Sequence, residues 1–208
     1  MDTTPTELQF KLLVDQIGEP GWCVLPDFLG ADAAQGLWKE SMDSWQEGEF
    51  RRAGVGQGEN LLIREDVRTD HVMWLNEENT TPAQQVYFEL LEKIRIELNQ
   101  NFFLGLMDFE GHFAVYPEGG FYKPHLDRHR ESRDRLVTVI LYLNPNWQSG
   151  DGGELKIWTS PGEKDGEHLI VDPRIGTLVC FHSGDYWHEV LPAMKTRASI
   201  TGWFRGRG

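Results

Sequence analysis

The chain has 208 residues, 39% of them hydrophobic, and a formal net charge of −13 at pH 7, enough to bury a sizeable core as one domain or one domain with a helical extension. That acidic surplus argues against nucleic acid as a partner, since phosphate binding needs a basic surface, and against anionic membrane surfaces. No stretch reaches the roughly 18 to 20 apolar residues of a membrane span, and Met1–Phe10 is polar and acidic, unlike a secretory leader.

Thr4–Ile17 is predicted helical, with a threonine N-cap and Leu8, Leu12, Leu13 and Ile17 near helical spacing; Gly18-Glu19-Pro20-Gly21 ends it. Trp22–Leu25 reads as a short strand stopped by Pro26-Asp27, and Ala31–Trp45 as a second helix. Glu49–Asn76, rich in glycine (Gly54, Gly56, Gly58) and arginine (Arg51, Arg52, Arg64, Arg68), reads as a loop or long hairpin outside the core. Loops of that length in compact domains are often functional lids. Thr81–Asn99 is the third helix: Val86, Leu90, Ile94 and Leu98 repeat every four residues, with Thr80 or Thr81 as cap and Pro82 in the first turn.

From Gly111 the pattern changes to short β runs: His112–Tyr116, Phe121–Asp127, Leu136–Leu143, Gly153–Trp158, His168–Val171, Gly176–His182, His188–Leu191 and Arg197–Phe204. Glycine-, proline- and asparagine-rich turns separate them. About eight short strands predict an α+β arrangement whose core is a double-sheet jelly roll, with the helices packed on one outer sheet. The expected division is a helical support region at 1–110, carrying the 49–76 loop, and a β core at 111–208, in one structural domain. Cys23 and Cys180 sit in apolar runs without metal-type spacing, so buried free thiols and a reducing cytoplasm are expected.

The chemistry begins at His125-Leu126-Asp127. Side chains two apart leave the same face of a strand. A later strand that returns His188 completes two imidazoles and a carboxylate, a set that leaves metal positions open as non-haem Fe(II) oxygenases require. Arg197, nine residues after His188 in an apolar strand (Ala198, Ile200, Trp203, Phe204), offers a planar, permanently charged fork. A buried arginine needs an anion, supplied by a structural salt bridge or by a cosubstrate carboxylate. Iron with an oxo-acid cosubstrate fits that combination. Of the competing histidines, His129 lies in a charged run that reads as a solvated turn, and His182 as a core or supporting residue. His112 either lines the pocket or merely opens its strand, and His71 is expected to be exposed.

The set His125, Asp127, His188 and Arg197 resembles the 2-oxoglutarate- and Fe(II)-dependent oxygenases, which share a double-stranded β-helix. Finer matches resemble the prolyl 4-hydroxylases: Tyr116-Pro117-Glu118-Gly119-Gly120-Phe121-Tyr122-Lys123-Pro124-His125, Tyr142-Leu143-Asn144, Gly152-Gly153-Glu154-Leu155, and Thr196-Arg197 to Trp203-Phe204. Arg68-Thr69-Asp70 followed by Val72-Met73-Trp74 is similar to the mobile loop of the small oxygen-sensing (hypoxia-inducible-factor-type) prolyl hydroxylases. The resemblance implies a dioxygenase that uses Fe(II), 2-oxoglutarate and O2, with ascorbate as a stimulant. It would hydroxylate a prolyl residue at C4 in a protein target, releasing succinate and CO2. It also implies that His125, Asp127 and His188 hold the iron, and that Arg197 and Tyr142, helped by Thr201, take the far carboxylate of 2-oxoglutarate. Tyr116 would sit near the metal-bound end, and Arg68, Asp70, Tyr122 and Trp203 on the substrate side. Tyr122 is an odd number of positions from His125, so a regular strand would aim it away. Two alternatives stand beside this reading: an oxygenase acting on another residue or a free amino acid, and a non-catalytic metal-binding jelly roll. Demethylases of alkylated nucleic acid are disfavoured, because they carry an arginine where this chain has Trp203.

Overall fold

The computed structural model describes residues 5–55, 62–128 and 134–207; Thr4, Gly56, Gly58 and His129 lie outside the described residues. Helix α1 (Glu7–Gly18) starts at Thr6, whose hydroxyl accepts from the Gln9 amide while the Gln9 side chain accepts from the Thr6 amide. Two orphan donors are thereby satisfied reciprocally. Helix α2 (Ala31–Glu47) stops at Gly48, which takes the left-handed conformation at φ 77°. Helix α3 (Pro82–Phe102) is capped by Thr81, which accepts from the Gln84 amide. Its buried face is Tyr87, Leu90, Leu91, Ile94 and Leu98, whereas Val86 is 37% exposed. A strict four-residue repeat drifts around a helix of 3.6 residues per turn, so its first member rotates off the core and Tyr87 and Leu91 take the space.

The strands are β1 (Trp22–Leu25), β2 (Arg51–Arg52), β3 (His71–Trp74), β4 (Asp108–Tyr116), β5 (Tyr122–His125), β6 (Arg135–Tyr142), β7 (Leu155–Trp158), β8 (His168–Val171), β9 (Leu178–His182), β10 (His188–Val190) and β11 (Arg197–Arg205). A larger antiparallel sheet runs β1-β9-β6-β11-β4-β3-β2 and faces a smaller one, β5-β10-β7-β8. Strands β4 to β11 form the expected double-stranded β-helix. The stretch Glu49–Asn76 contains β2 and β3, a hairpin that extends the larger sheet through β4.

The larger sheet is covered on both faces, which explains the unbroken apolar run of β6. Val137, Val139 and Leu141 turn toward the helices and pack with Leu13, Ile17, Tyr87, Leu91 and Ile94. Ile140 and Tyr142 turn inward against Leu155, Ile157 and Phe181. Strand β11 follows the same alternation: Ala198, Ile200 and Phe204 join the helical layer, and Arg197, Ser199, Thr201 and Trp203 share the inner face. Cys23 and Cys180 are buried free thiols on paired strands. Among the described residues no helix is long and apolar enough to cross a membrane.

Candidate metal and cosubstrate site

Antiparallel pairing of β5 with β10 sets His188 directly opposite His125, so the remote histidine returns to the first. Asp127 lies just past the end of β5, in the segment leading away from it, so its approach to His125 comes from a turn and not from strand parity. One candidate donor atom from each of the three residues lies within 4.8 Å of the others. His125 Nδ1 is 2.9 Å from the Lys123 carbonyl, and His188 Nδ1 is 3.0 Å from that of Tyr186. Donation there fixes both tautomers and leaves each Nε2 lone pair free for a metal. Those Nε2 atoms stand 3.6 Å and 3.5 Å from the two carboxylate oxygens of Asp127. Thr138 donates to Asp127 Oδ2 at 2.8 Å and its hydroxyl meets Ser183 Oγ at 2.9 Å.

Burial alone would raise the Asp127 pKa, but His188, His125 and the Thr138 hydroxyl together hold it well below the usual carboxylate range. Burial, reinforced by His125 and opposed by Asp127, pushes His188 down to about 4. At neutral pH these two groups are therefore already in the forms that ligate a metal, carboxylate and neutral imidazole. Two nitrogens and one oxygen on one side suit Fe(II) and leave coordination positions for further ligands.

Arg197 lines the same cavity, a space of about 480 Å³ that also touches all three candidate ligands. Its side chain is 2% exposed, with Nε donating to the Gly153 carbonyl at 2.9 Å and Nη1 to Ser199 Oγ at 3.3 Å. Gly153 has φ +66°, and a Cβ there would stand 3.0 Å from Arg197 Cδ, so the close approach suits glycine. The rings of Tyr116 and Tyr142 lie 4.9 Å and 5.0 Å from the guanidinium carbon. Among the described residues no carboxylate pairs with Arg197. The Tyr142 hydroxyl is likewise buried without a partner, and burial pushes its pKa up to about 12, so it remains a donor. A buried cation and a buried O–H left unpaired are costly. A ligand carboxylate reaching Arg197 would remove the first cost; Tyr142, whose ring stands beside that guanidinium, is not among the residues that line the cavity. Thr201 lines the cavity, with its hydroxyl 3.4 Å from Ser199 Oγ.

Tyr122 lines the cavity too, contrary to the parity expectation. Between the pairs His188–His125 and Val190–Tyr122, β5 advances three residues against two of β10. This bulge rotates the intervening backbone and returns Tyr122 to the face of His125. Arg68 and Asp70 form a two-pronged pair at 2.7 Å and 2.5 Å, with the Asp70 side chain fully buried. Burial would lower the Arg68 pKa, but Asp70 outweighs it and raises it further. The pair is anchored beside the metal site, because Arg68 bridges to Tyr122 and the Lys123 amide donates to the Val67 carbonyl. Trp203 lines the cavity beneath the Arg135 guanidinium, 3.5 Å away, and His112 is buried beside it. His182 instead meets the Ile17 carbonyl at 3.2 Å. His71 is half-buried against Trp45 and not exposed, because β3 adds to the sheet. Thr138 and Ser183, which brace Asp127, carried no sequence signal beyond the shared parity of Thr138 with Tyr142.

Residues 111–205 match the family described as the 2OG-Fe(II) oxygenase superfamily. A crystal structure of a Pseudomonas putida prolyl-4-hydroxylase is 40% identical, covers 96% of this chain and 100% of that one, and superposes with a TM-score of 0.85. A Trichoplax adhaerens prolyl hydroxylase, solved in complex with a hypoxia inducible factor oxygen degradation domain peptide fragment, is 27% identical over 99% of this chain and 96% of that one, with a TM-score of 0.84. The Caenorhabditis elegans hypoxia-inducible factor prolyl hydroxylase is 28% identical over 92% of this chain. This chain spans 27% of the worm protein's length and 47% to 59% of the next three curated relatives.

Proposed function

We propose that this chain, which belongs to the 2-oxoglutarate- and Fe(II)-dependent oxygenases and within them to the prolyl hydroxylases, hydroxylates C4 of a prolyl residue in a protein target. One observation carries the oxygenase reading: a buried arginine without an anionic partner shares a cavity with a two-histidine, one-carboxylate cluster. The prolyl assignment rests on the likeness to the P. putida enzyme over its whole length.

In this reading His125, Asp127 and His188 hold Fe(II). Arg197 and Tyr142, with Thr201 beside them, grip the far carboxylate of 2-oxoglutarate, a charge-assisted contact of the bidentate kind. Bound there, ferrous iron supplies the centre at which O2 and 2-oxoglutarate are converted to succinate and CO2 while one oxygen atom enters the prolyl C–H bond. The protein's own residues orient and exclude water. Tyr116, which the resemblance puts near the metal-bound end of 2-oxoglutarate, stands with its ring 4.9 Å from the Arg197 guanidinium carbon and so lies beside the far-carboxylate anchor as well; Tyr122 and Trp203 wall the substrate side. The β2–β3 hairpin contributes Arg51, Arg52, Arg68 and Trp74 to the cavity wall, which supports reading it as the lid that excludes water. Ascorbate as a stimulant, a cytoplasmic setting and a role in oxygen sensing belong to the same proposal.

The test compares proteomes of host cells expressing the native chain or Asp127→Ala, by peptide mass spectrometry. The expected result is one or more prolines oxygenated only by the native form. Oxygenation of a different residue would overturn the prolyl assignment, and no oxygenation together with no 2-oxoglutarate consumption by purified protein would overturn the enzyme reading.

A further inference from the structure

His112 and Trp203 stand side by side on the cavity wall, their rings 5.7 Å apart, with His112 paired across the sheet to Thr201. Trp203 is 6% exposed, and its indole Nε1 is buried with no hydrogen-bond partner. His112 is 4% exposed, with Nδ1 3.2 Å from the Phe113 carbonyl. Donation there leaves Nε2 carrying the lone pair, and burial keeps the ring neutral, its pKa lowered to about 4. The Arg135 guanidinium over the indole draws electron density from the ring and strengthens the N–H as a donor. Arg135 itself is held by Glu110 at 2.7 Å. Half-exposed Trp74 packs edge-on against His112 and lines the same cavity, which connects the pair to the protein surface.

A lone donor next to a lone acceptor fits one residue of an extended peptide, whose N–H and C=O leave the strand on the same side. Proline has no N–H and cannot be that residue. The residue before a proline can, and the proline ring already biases it toward the extended region. We infer that His112 and Trp203 form a main-chain subsite for the residue preceding the target proline: the Trp203 indole N–H donates to its carbonyl, and His112 Nε2 accepts its N–H. The inference rests on the prolyl hydroxylase reading and adds specificity-determining contacts to it.

The experiment uses nitrogen-15-labelled protein loaded with zinc(II) and 2-oxoglutarate, titrated with acetylated, amidated peptides bearing one central proline. The Trp203 indole resonance is identified by its loss in Trp203→Phe. The expected result is a downfield shift of that resonance on peptide binding. N-methylation of the residue before the proline should weaken binding about tenfold, the order of one hydrogen bond in a desolvated site. His112→Leu should bind the parent and the N-methylated peptide alike; if that variant does not fold, the native comparison decides alone. An indole resonance that stays put while others report bound peptide overturns the inference and leaves the prolyl reading standing. So does a shift that N-methylation does not weaken, which would point to a side-chain amide. Peptides that perturb no resonance overturn both.

Discussion

Tyr122 lies flat on His125, ring centroids 3.6 Å apart at 15°, and the guanidinium of Arg68 stands 4.2 Å from the same tyrosine ring. A candidate metal ligand is thus braced from the hairpin that helps line the cavity, through one aromatic ring that the β5 bulge puts in place. Metal-bound imidazoles depend on such outer supports for their orientation, and losing one typically weakens metal binding.

Tyr122→Ala should therefore lower affinity for a divalent metal by about threefold to tenfold, the worth of one aromatic stack, whereas Tyr122→Phe keeps the ring and should bind as the native chain does. Calorimetric titration with Mn(II) checks both. Equal affinity in all three proteins would mean that the stack is incidental.

The Arg68–Asp70 pair sets a second expectation. Asp70 is 1% exposed, so Arg68→Met strands a buried carboxylate and should cost about 3 to 5 kcal/mol of stability. Arg68→Met combined with Asp70→Leu strands nothing and should recover most of that loss. Urea midpoints at constant slope measure the difference; a double variant as unstable as the single one would refute it.

Much of this was legible in the chain. Trp22–Leu25 and His168–Val171 are strands with the bounds their turn residues predict, and the metal cluster follows from His125, Asp127 and His188 once β5 and β10 pair. Four readings failed for local reasons. Strand parity was to bring Asp127 to the face of His125, but β5 ends at His125 and Asp127 reaches the site from the segment beyond it. Parity sent Tyr122 away from His125, because a bulge leaves no mark in residue types. The four-residue repeat put Val86 in the core, although helical drift carries it out. His71 looked exposed because β3 follows a polar, glycine-bearing stretch, and its burial comes from pairing with a strand forty residues away. The Thr138–Asp127–Ser183 brace was out of reach for a different reason: three ordinary polar residues on separate segments become a unit only when the sheet assembles.

Acid stability should carry the signature of His112. Its folded pKa is lowered to about 4 from an ordinary 6.5, so the unfolded chain binds the proton first as pH falls. Stability is then full above about pH 6.5 and declines toward pH 4, by about 3 kcal/mol at pH 4 for this one group. His112→Leu removes that group. Metal-free native protein should lose about 3 kcal/mol more than the variant between pH 7 and pH 4, read from urea unfolding at each pH; parallel curves would refute the assignment.

Arg197 should behave unlike Arg68, although both are buried arginines. Removing Arg197 strands no carboxylate, only the Gly153 carbonyl and the Ser199 hydroxyl. Arg197→Met should therefore cost the ligand-free protein no more than about 1 to 2 kcal/mol, against the larger loss for Arg68→Met. Its effect should appear with the cosubstrate instead. In the presence of Mn(II), 2-oxoglutarate should raise the melting temperature of the native chain and leave that of Arg197→Met unchanged, because a ligand stabilises only the fold that binds it. Arg197→Lys keeps the charge but loses the fork, and should raise the KM for 2-oxoglutarate at least tenfold, about 1.4 kcal/mol. A melting temperature of Arg197→Met that still climbs with 2-oxoglutarate would move the carboxylate anchor to another residue of the cavity.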